Sequence, residues 1–284
     1  MTDLFEFKAA KRDFALMGNP VSHSKSPVIH KAFALQCEKD IEYNLIQVDV
    51  GGFDQAVSHF GAHGGAGLNV TAPFKVEAWE MCQREGNALT ERGKLAESIN
   101  TLSFREDGSV LGDNTDGIGL VRDIEDNLGH QISGKRILLV GAGGASRGAI
   151  GPLLQASPSH LHIVNRTAQK ATQLASHFQS LGEVSGGSLD SDTSDFDLII
   201  HATAAGLSGQ LPGIHAENIG ANTFIYDMMY SNEPTTFMKW ALDQGAAHAV
   251  DGLGMLVEQA SEAFRQWHQV VPDTSPVVAW LRKQ

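Results

Sequence analysis

The sequence predicts an α/β protein with mostly parallel sheets, divided into two domains. Three observations carry that prediction. Short apolar runs alternate with amphipathic stretches, as in successive βαβ units. The most apolar run, Arg136-Ile-Leu-Leu-Val140, passes directly into a glycine-rich turn and then a helical pattern. The length, 284 residues, is long for one core and short for three.

Taken in order, Phe14 to Met17 reads as the first strand, followed by a Gly18-Asn-Pro20 turn. Ser26-Pro27 reads as an N-cap with proline at the first helical position, opening a helix through Ile29, Ala32, Phe33 and Leu35. Tyr43 to Val50 and Gly67 to Thr71 follow as strands, and Ala72-Pro73-Phe74-Lys75 opens a second helix in the same style. Asn100 to Phe104 and Val110 to Gly112 form a hairpin around Glu106-Asp-Gly108. From Asp116 the pattern becomes helical through Leu120, Ile124 and Leu128, which sets a domain boundary near Asn114. Leu161 to Val164, Phe196 to Ile200 and Thr223 to Asp227 complete a second set of strands. Met255 to Trp267 is an amphipathic helix with Gln259 on its apolar stripe. A buried amide needs a partner, and a substrate hydroxyl or a backbone carbonyl would serve equally.

Composition narrows the function. Hydrophobic residues make up 42% and charged residues 19%, a globular balance. Asp plus Glu outnumber Lys plus Arg by 33 to 21, a formal charge of -12, so nucleic-acid and anionic-membrane partners are not expected. A small anionic ligand stays open, because a few local donors override a net charge. Cys37 and Cys82 form neither a disulfide framework nor a metal-site spacing, so no metal is expected and a reducing cytoplasm fits. No apolar run approaches the ~18 residues of a membrane span, and Met1 to Lys8 lack the apolar stretch of a secretion signal.

The turn after Val140 reads Gly141-Ala142-Gly143-Gly144-Ala145-Ser-Arg-Gly148, a variant of the dinucleotide-binding fingerprint. Its backbone N–H groups, at a helix N-terminus, suit a pyrophosphate. An NAD site would carry an acid at the end of the next strand to hold the ribose 2′-OH. Here Asn165-Arg166-Thr167 stands there with Lys170 beyond, all able to donate to a 2′-phosphate, so NADP is favoured. Thr203, Met228 and Tyr230 follow the carboxyl ends of later strands, where ligands of open α/β sheets lie. In the first half, Ser22 and Ser24 flank His23; in an extended segment both hydroxyls face one way. Asn69, Thr71, Lys75, Asn100 and Asp116 are polar residues at element ends.

These residues sit in longer motifs. Gly18-Asn-Pro-Val-Ser-His-Ser-Lys-Ser-Pro27, Asn69-Val-Thr-Ala-Pro-Phe-Lys75, Asn100-Thr101, Asp113-Asn-Thr-Asp-Gly117, the glycine turn, Asn165-Arg-Thr167 and Asp251-Gly-Leu-Gly-Met-Leu-Val-Glu-Gln259 together resemble the shikimate dehydrogenase family over nearly the whole chain. The resemblance implies two α/β domains with a cleft between them. Residues 1–114 would form the substrate-binding and catalytic domain, to which C-terminal helices in 252–284 return, and residues 115–251 the Rossmann-type NADP-binding domain. It implies NADPH-dependent reversible reduction of 3-dehydroshikimate to shikimate, on the route to chorismate and the aromatic amino acids.

The implied roles fall residue by residue. Lys75 and Asp116 are the catalytic pair. Ser22, Ser24, Asn69, Thr71, Asn100, Asp116, Tyr230 and Gln259 are implied at the substrate. Glu91, Gly141, Ala142, Gly143, Gly144, Ala145, Asn165, Arg166, Thr167, Lys170, Thr203, Met228 and Gly252 are implied at NADP. Since a neighbouring carboxylate favours an ammonium group, Lys75 is expected to act as a cationic donor. Two readings stand beside this one: a quinate/shikimate dehydrogenase of relaxed specificity, and a non-catalytic NADP sensor on the same fold. Either a monomer or a homodimer fits. Three departures from the family pattern are His201 at a usual Asn, Glu97-Ser-Ile99 in place of Gly-Ala-Val with little consequence expected, and an extension of about eleven residues at the start.

Overall fold

A computed structural model describes residues 12–203 and 210–284, and two six-stranded sheets organise them. The N-terminal extension and Ala204 to Gly206 lie outside the described residues. The first sheet runs β2-β1-β3-β5-β6-β4, built from β1 (Arg12–Gly18), β2 (Ile41–Gln47), β3 (Gly65–Val70), β4 (Ala88–Leu89), β5 (Thr101–Phe104) and β6 (Val110–Asp113). Its β1 is parallel to β2 and β3, while β5 is antiparallel to β3 and β6. The hairpin of β5 and β6 pairs Phe104 with Val110 and Thr101 with Asp113.

Alternation along β1 explains why this sheet is covered on both faces. Ala15 and Met17 pack with Leu68, Val70, Phe53 and Phe74, beneath α2 (Phe53–Ala62) and α3 (Lys75–Cys82). On the other face Phe14 meets Trp267 with ring centroids 4.9 Å apart. There α1 (Ser26–Gln36), α9 (Leu253–His268) and α10 (Ser275–Leu281) share a core of Ile29, Phe33, Val257, Phe264 and Val277. Trp267 Nε1 donates to Leu102 O at 3.1 Å, fastening α9 to β5.

The two helix starts differ from the sequence expectation. Ser26 is the first residue of α1 and Lys25 its cap, because Ser24 Oγ accepts from Ser26 N–H at 3.2 Å. Pro73 does not open α3. It follows a cis peptide bond inside a turn closed by Phe74 N–H donating to Thr71 O at 3.0 Å, and α3 begins at Lys75.

The second sheet runs β9-β8-β7-β10-β11-β12, all parallel, from β7 (Arg136–Val140), β8 (His160–Val164), β9 (Val184–Gly187), β10 (Phe196–His201), β11 (Ile219–Asp227) and β12 (His248–Asp251). Counted from β7 this is the 3-2-1-4-5-6 order of a Rossmann sheet, with the reversal of winding between β7 and β10. Ile137 and Leu139 enter a core with Ile150, Leu153 and Phe178, whereas Leu138 and Val140 enter another with Phe237 and Ala241 of α8 (Thr236–Asp243). A strand buried on both faces has no polar alternation, which is why β7 reads as an unbroken apolar run.

The lobes meet along α5 (Asp116–Arg122), which continues in a π-type turn over Asp123–Asn127. A Cβ at Gly119 would stand 2.6 Å from Gln259 N on α9, and one at Gly117 2.1 Å from Gly148 O on α6 (Gly144–Gln155). Glycine at both crossings lets the three helices touch at backbone distance.

Candidate active site

The ends of β3, β5 and β6 and the starts of α3 and α5 converge on one cluster of polar side chains. Lys75 Nζ donates to Asp116 Oδ2 at 2.6 Å; the lysine side chain keeps 18% exposure and the aspartate 8%, so the cation faces the cleft and the anion lies behind it. Asn100 Nδ2 donates to Asp116 Oδ1 at 2.7 Å, holding the carboxylate from its other side. Asn100 Oδ1 accepts from Thr115 N–H at 2.8 Å, which fixes the amide's orientation. Gln259 Oε1 lies 3.3 Å from Asn100 Nδ2, and Gln259 Nε2 donates to Leu256 O at 2.8 Å. Thus α9 brings a half-buried amide to this cluster, with a carbonyl of its own helix as one partner.

A second layer supports the first. Asn69 Nδ2 donates to Asn100 O at 3.2 Å and Thr101 Oγ1 at 3.1 Å, and its Oδ1 accepts from Tyr43 O–H at 2.7 Å. Burial pushes the Tyr43 hydroxyl above its ordinary pKa, so it stays a neutral donor. His30 stacks on Tyr43 at 4.3 Å, fully buried, and burial pushes its pKa down to about 3. Thr71 sits in the turn between β3 and Lys75, against Gly18. Ser22 is exposed, Ser24 half-buried with its Oγ on Ser26, and Tyr230 packs against the α1–α9 core.

Sequence reasoning missed the network behind Asp116. Buried Asp113, at the end of β6, accepts from Arg92 Nε at 2.8 Å and Nη2 at 2.5 Å, from Thr90 Oγ1, and from Asn114 N–H at 2.8 Å. Arg92, in α4 (Glu91–Ala96), also donates to Glu262 of α9 at 2.7 Å, and Arg122 and Arg265 stand 3.1 and 2.8 Å from the same carboxylate. Burial alone would raise the Glu262 pKa, but the hydrogen bonds from Arg265 and Arg92 and the nearby charges hold it at about 2. A glutamate amid apolar helix positions was the one trace of this network in the sequence.

The second lobe contributes a differently built surface. Gly141 adopts φ +123, and a Cβ there would press on Ala202 O and Thr203 Cγ2 at 3.0 Å. At Gly143 a Cβ would meet nothing within 4 Å, so the backbone of the turn is open to a ligand. Gly144 faces the first lobe: a Cβ there would lie 4.0 Å from Lys75 Cβ and Cδ. Ala145 continues the first turn of α6. At the end of β8, Arg166, Thr167 and Lys170 are exposed, and among the described residues neither cation is ion-paired. Asn165 Nδ2 ties the bend by donating to Thr167 O at 3.0 Å. An open glycine turn beside two unpaired cations fits a phosphorylated dinucleotide.

At the end of β10, buried His201 donates from Nδ1 to Asp227 Oδ1 at 3.1 Å, and its Nε2 lies 2.7 Å from Thr203 Oγ1. Histidine at this position therefore links the ends of β10 and β11. Gly252 is held against Met228, whose carbonyl a Cβ would approach to 2.5 Å. Glu91 opens α4, and its carboxylate, 86% exposed, takes Lys94 Nζ at 2.6 Å. Glu97 and Ser98, expected to matter little, reach instead across to α6.

Three family models match this arrangement in order. The shikimate dehydrogenase substrate binding domain matches residues 16–102, shikimate / quinate 5-dehydrogenase matches 123–218, and the shikimate 5'-dehydrogenase C-terminal domain matches 252–279. The chain belongs to the shikimate dehydrogenase family. Among its relatives, a shikimate dehydrogenase (NADP(+)) of Nitrosococcus oceani is 47% identical over 272 residues, 95% of each chain. The crystal structure of an Ael1 enzyme from Pseudomonas putida is 41% identical, with a TM-score of 0.86 over 95% of this chain and 98% of that one. Shikimate 5-dehydrogenase from Thermus thermophilus, solved in complex with NADP(H) and shikimate, is 26% identical, with a TM-score of 0.83 over 96% and 99%. In the shikimate dehydrogenase fold the Lys75–Asp116 cluster and the glycine turn are thus brought to one cleft from two lobes.

Proposed function

We propose that the chain is an NADP-dependent shikimate dehydrogenase, an oxidoreductase acting on a CH–OH group that interconverts 3-dehydroshikimate and shikimate. The observation that carries this reading is the Lys75–Asp116 pair, 2.6 Å apart, lying against Gly144 of the nucleotide-type turn. A protein that only sensed the cofactor has no use for a proton-transfer pair at that place.

NADPH supplies the reducing hydride when bound. Backbone N–H groups from Gly141 to Ala145 would hold its pyrophosphate, and Asn165, Arg166, Thr167 and Lys170 its adenosine 2′-phosphate. Thr203, Met228 and Gly252 line the nicotinamide end. Ser22, Ser24, Asn69, Thr71, Asn100, Tyr230 and Gln259 shape the substrate side, with Asn69 acting through Asn100 because its own polar atoms are already bonded. As the substrate carbonyl is reduced, charge develops on its oxygen. The Lys75 ammonium, oriented by Asp116, stabilises that charge and donates the proton. Asp116 keeps Asn100 on its other oxygen throughout and so holds the lysine in one direction. In the reverse reaction Lys75 takes the proton from the alcohol. No described helix is long and apolar enough to cross a membrane. The reading extends to a cytoplasmic enzyme, with residues 1–114 and 252–284 as the substrate lobe and 115–251 as the NADP lobe.

Initial rates with shikimate and with quinate, each against NADP and NAD, test the reading. Turnover of shikimate with NADP, well above every other pairing, is the expected outcome. Comparable rates with quinate or NAD would replace it with a relaxed-specificity enzyme. NADP binding without turnover would leave a sensor.

A further inference from the structure

Residues Glu97 to Asn100 join α4 to β5, and each of the four reaches a different part of the site. Glu97 closes α4 at φ +46, a left-handed conformation that residues other than glycine rarely adopt. Its carboxylate accepts from Arg147 Nη1 at 2.6 Å and stands 4.0 Å from His177 Nδ1. Arg147 lies in the first turn of α6, which the glycine turn opens, and His177 near the end of α7 (Ala168–Phe178). Ser98, fully buried, donates from Oγ to Gly144 O at 3.3 Å, and its carbonyl accepts from Asn114 Nδ2 at 2.6 Å. Ile99 N–H donates to Lys75 O at 2.8 Å, and Asn100 holds Asp116. Four consecutive residues therefore run from the nucleotide helix to both members of the ion pair.

We propose that Glu97 is an interlobe positioning residue, gripping Arg147 to set the spacing between α6 and the Lys75–Asp116 pair. The inference rests on the oxidoreductase reading above, since that spacing matters only if cofactor and substrate react across it. Glycine would occupy φ +46 without strain, so a glutamate there is explained by what its carboxylate reaches. Both side chains of the pair are 32% exposed, and ion pairs of that kind contribute little to folding. A small bias suffices for spacing, because hydride transfer is sensitive to misplacement on the order of 1 Å.

The test uses Glu97→Gly, Glu97→Gln, and the exchange of Glu97→Arg with Arg147→Glu in the full-length chain. Glu97→Gly is expected to unfold at the parent's temperature or above, because it relieves the backbone, while kcat falls about three- to fivefold. Glu97→Gln should lose as much kcat, with KM for shikimate and NADP within about twofold, and the exchange should recover at least half of the loss. Unchanged kcat in both single variants would reduce the pair to a surface contact and overturn the proposal. So would a raised KM for NADP with kcat preserved, which would place Arg147 in the cofactor's own cradle. Spin labels at the exposed Glu85 and Gln169, one on each lobe, give a reading independent of turnover. In the unliganded protein the distance distribution should broaden in Glu97→Gln, and an unbroadened one refutes the latch even if the parent enzyme turns over another substrate.

Discussion

In the first lobe Tyr43, Asn69, Asn100, Asp116 and Gln259 are joined by side-chain hydrogen bonds that span as many as 159 positions of sequence. The second lobe presents its candidate ligand groups in short contiguous pieces: Gly141 to Ala145 after β7, Asn165 to Lys170 after β8. One surface is a network of side chains and the other chiefly a backbone shaped by glycine. The difference teaches where substitutions should propagate. Removing one member of a network strands its partners, with a cost beyond the single bond. Altering one donor on an open, solvent-facing surface removes only what that donor gives.

The sharpest way to break this comparison is at the ion pair itself. Lys75→Ala should lower kcat by roughly 10³-fold, the middle of the range for a positioned proton donor, with little change in substrate binding. Steady-state rates and shikimate affinity measured together check it. A large rise in KM with kcat preserved would make Lys75 a binding residue and remove the reason for the surrounding network.

Next in size is the network's anchor. Glu262 faces Arg92, Arg122 and Arg265 while almost fully buried, so Glu262→Ala leaves Arg92 with Asp113 alone and takes this partner from Arg122 and Arg265, and should cost roughly 3 kcal/mol of stability. The pH dependence has a definite sign. With its folded pKa held at about 2, the ionised carboxylate stabilises the fold above its ordinary value near 4.5. That contribution fades as the pH falls from there toward 2. Urea unfolding of the parent and of Glu262→Gln should therefore differ most at neutral pH and converge below pH 4. A gap that stays constant to pH 3 would show that shape, rather than charge, is what Glu262 contributes.

The same contrast explains what was legible in the sequence. In the second lobe the four central strands β8, β7, β10 and β11 read directly while the edge strands β9 and β12 do not, because β7 is apolar on both faces and the lobe's ligand groups are adjacent in the chain. Short-range rules suffice there. In the first lobe, Lys75, Asn100 and Asp116 are isolated polar residues until three strand ends bring them together, and only whole motifs pointed to them as a set. The network of Arg92, Asp113 and Glu262 left only a glutamate amid apolar helix positions as its trace, since a buried charge is intelligible only with its distant partners in view. Helix starts slipped by one or two residues where a side chain or a turn took over the capping, as at Ser24 and at Pro73. Glu97 looked like a neutral replacement because neither its left-handed backbone nor Arg147, fifty positions on, is visible in local pattern.

The smallest predicted effect tests the open surface. Arg166 is exposed at the end of β8, and no described acid neutralises it. A single charge-assisted contact to the 2′-phosphate contributes ~1.5 kcal/mol, so Arg166→Ala should raise KM for NADP roughly tenfold. KM for NAD, which lacks that phosphate, should stay within about twofold, and kcat with NADP should hold because the residue is remote from Lys75. Thr167 and Lys170 remain to share the phosphate, which keeps the loss well short of abolition. Adding Lys170→Ala should then multiply the effect by a similar factor, as expected where groups act independently through solvent. Strong non-additivity, or equal losses with NADP and NAD, would mean that this surface too is a coupled network, and that the two lobes differ less in construction than their hydrogen bonds imply.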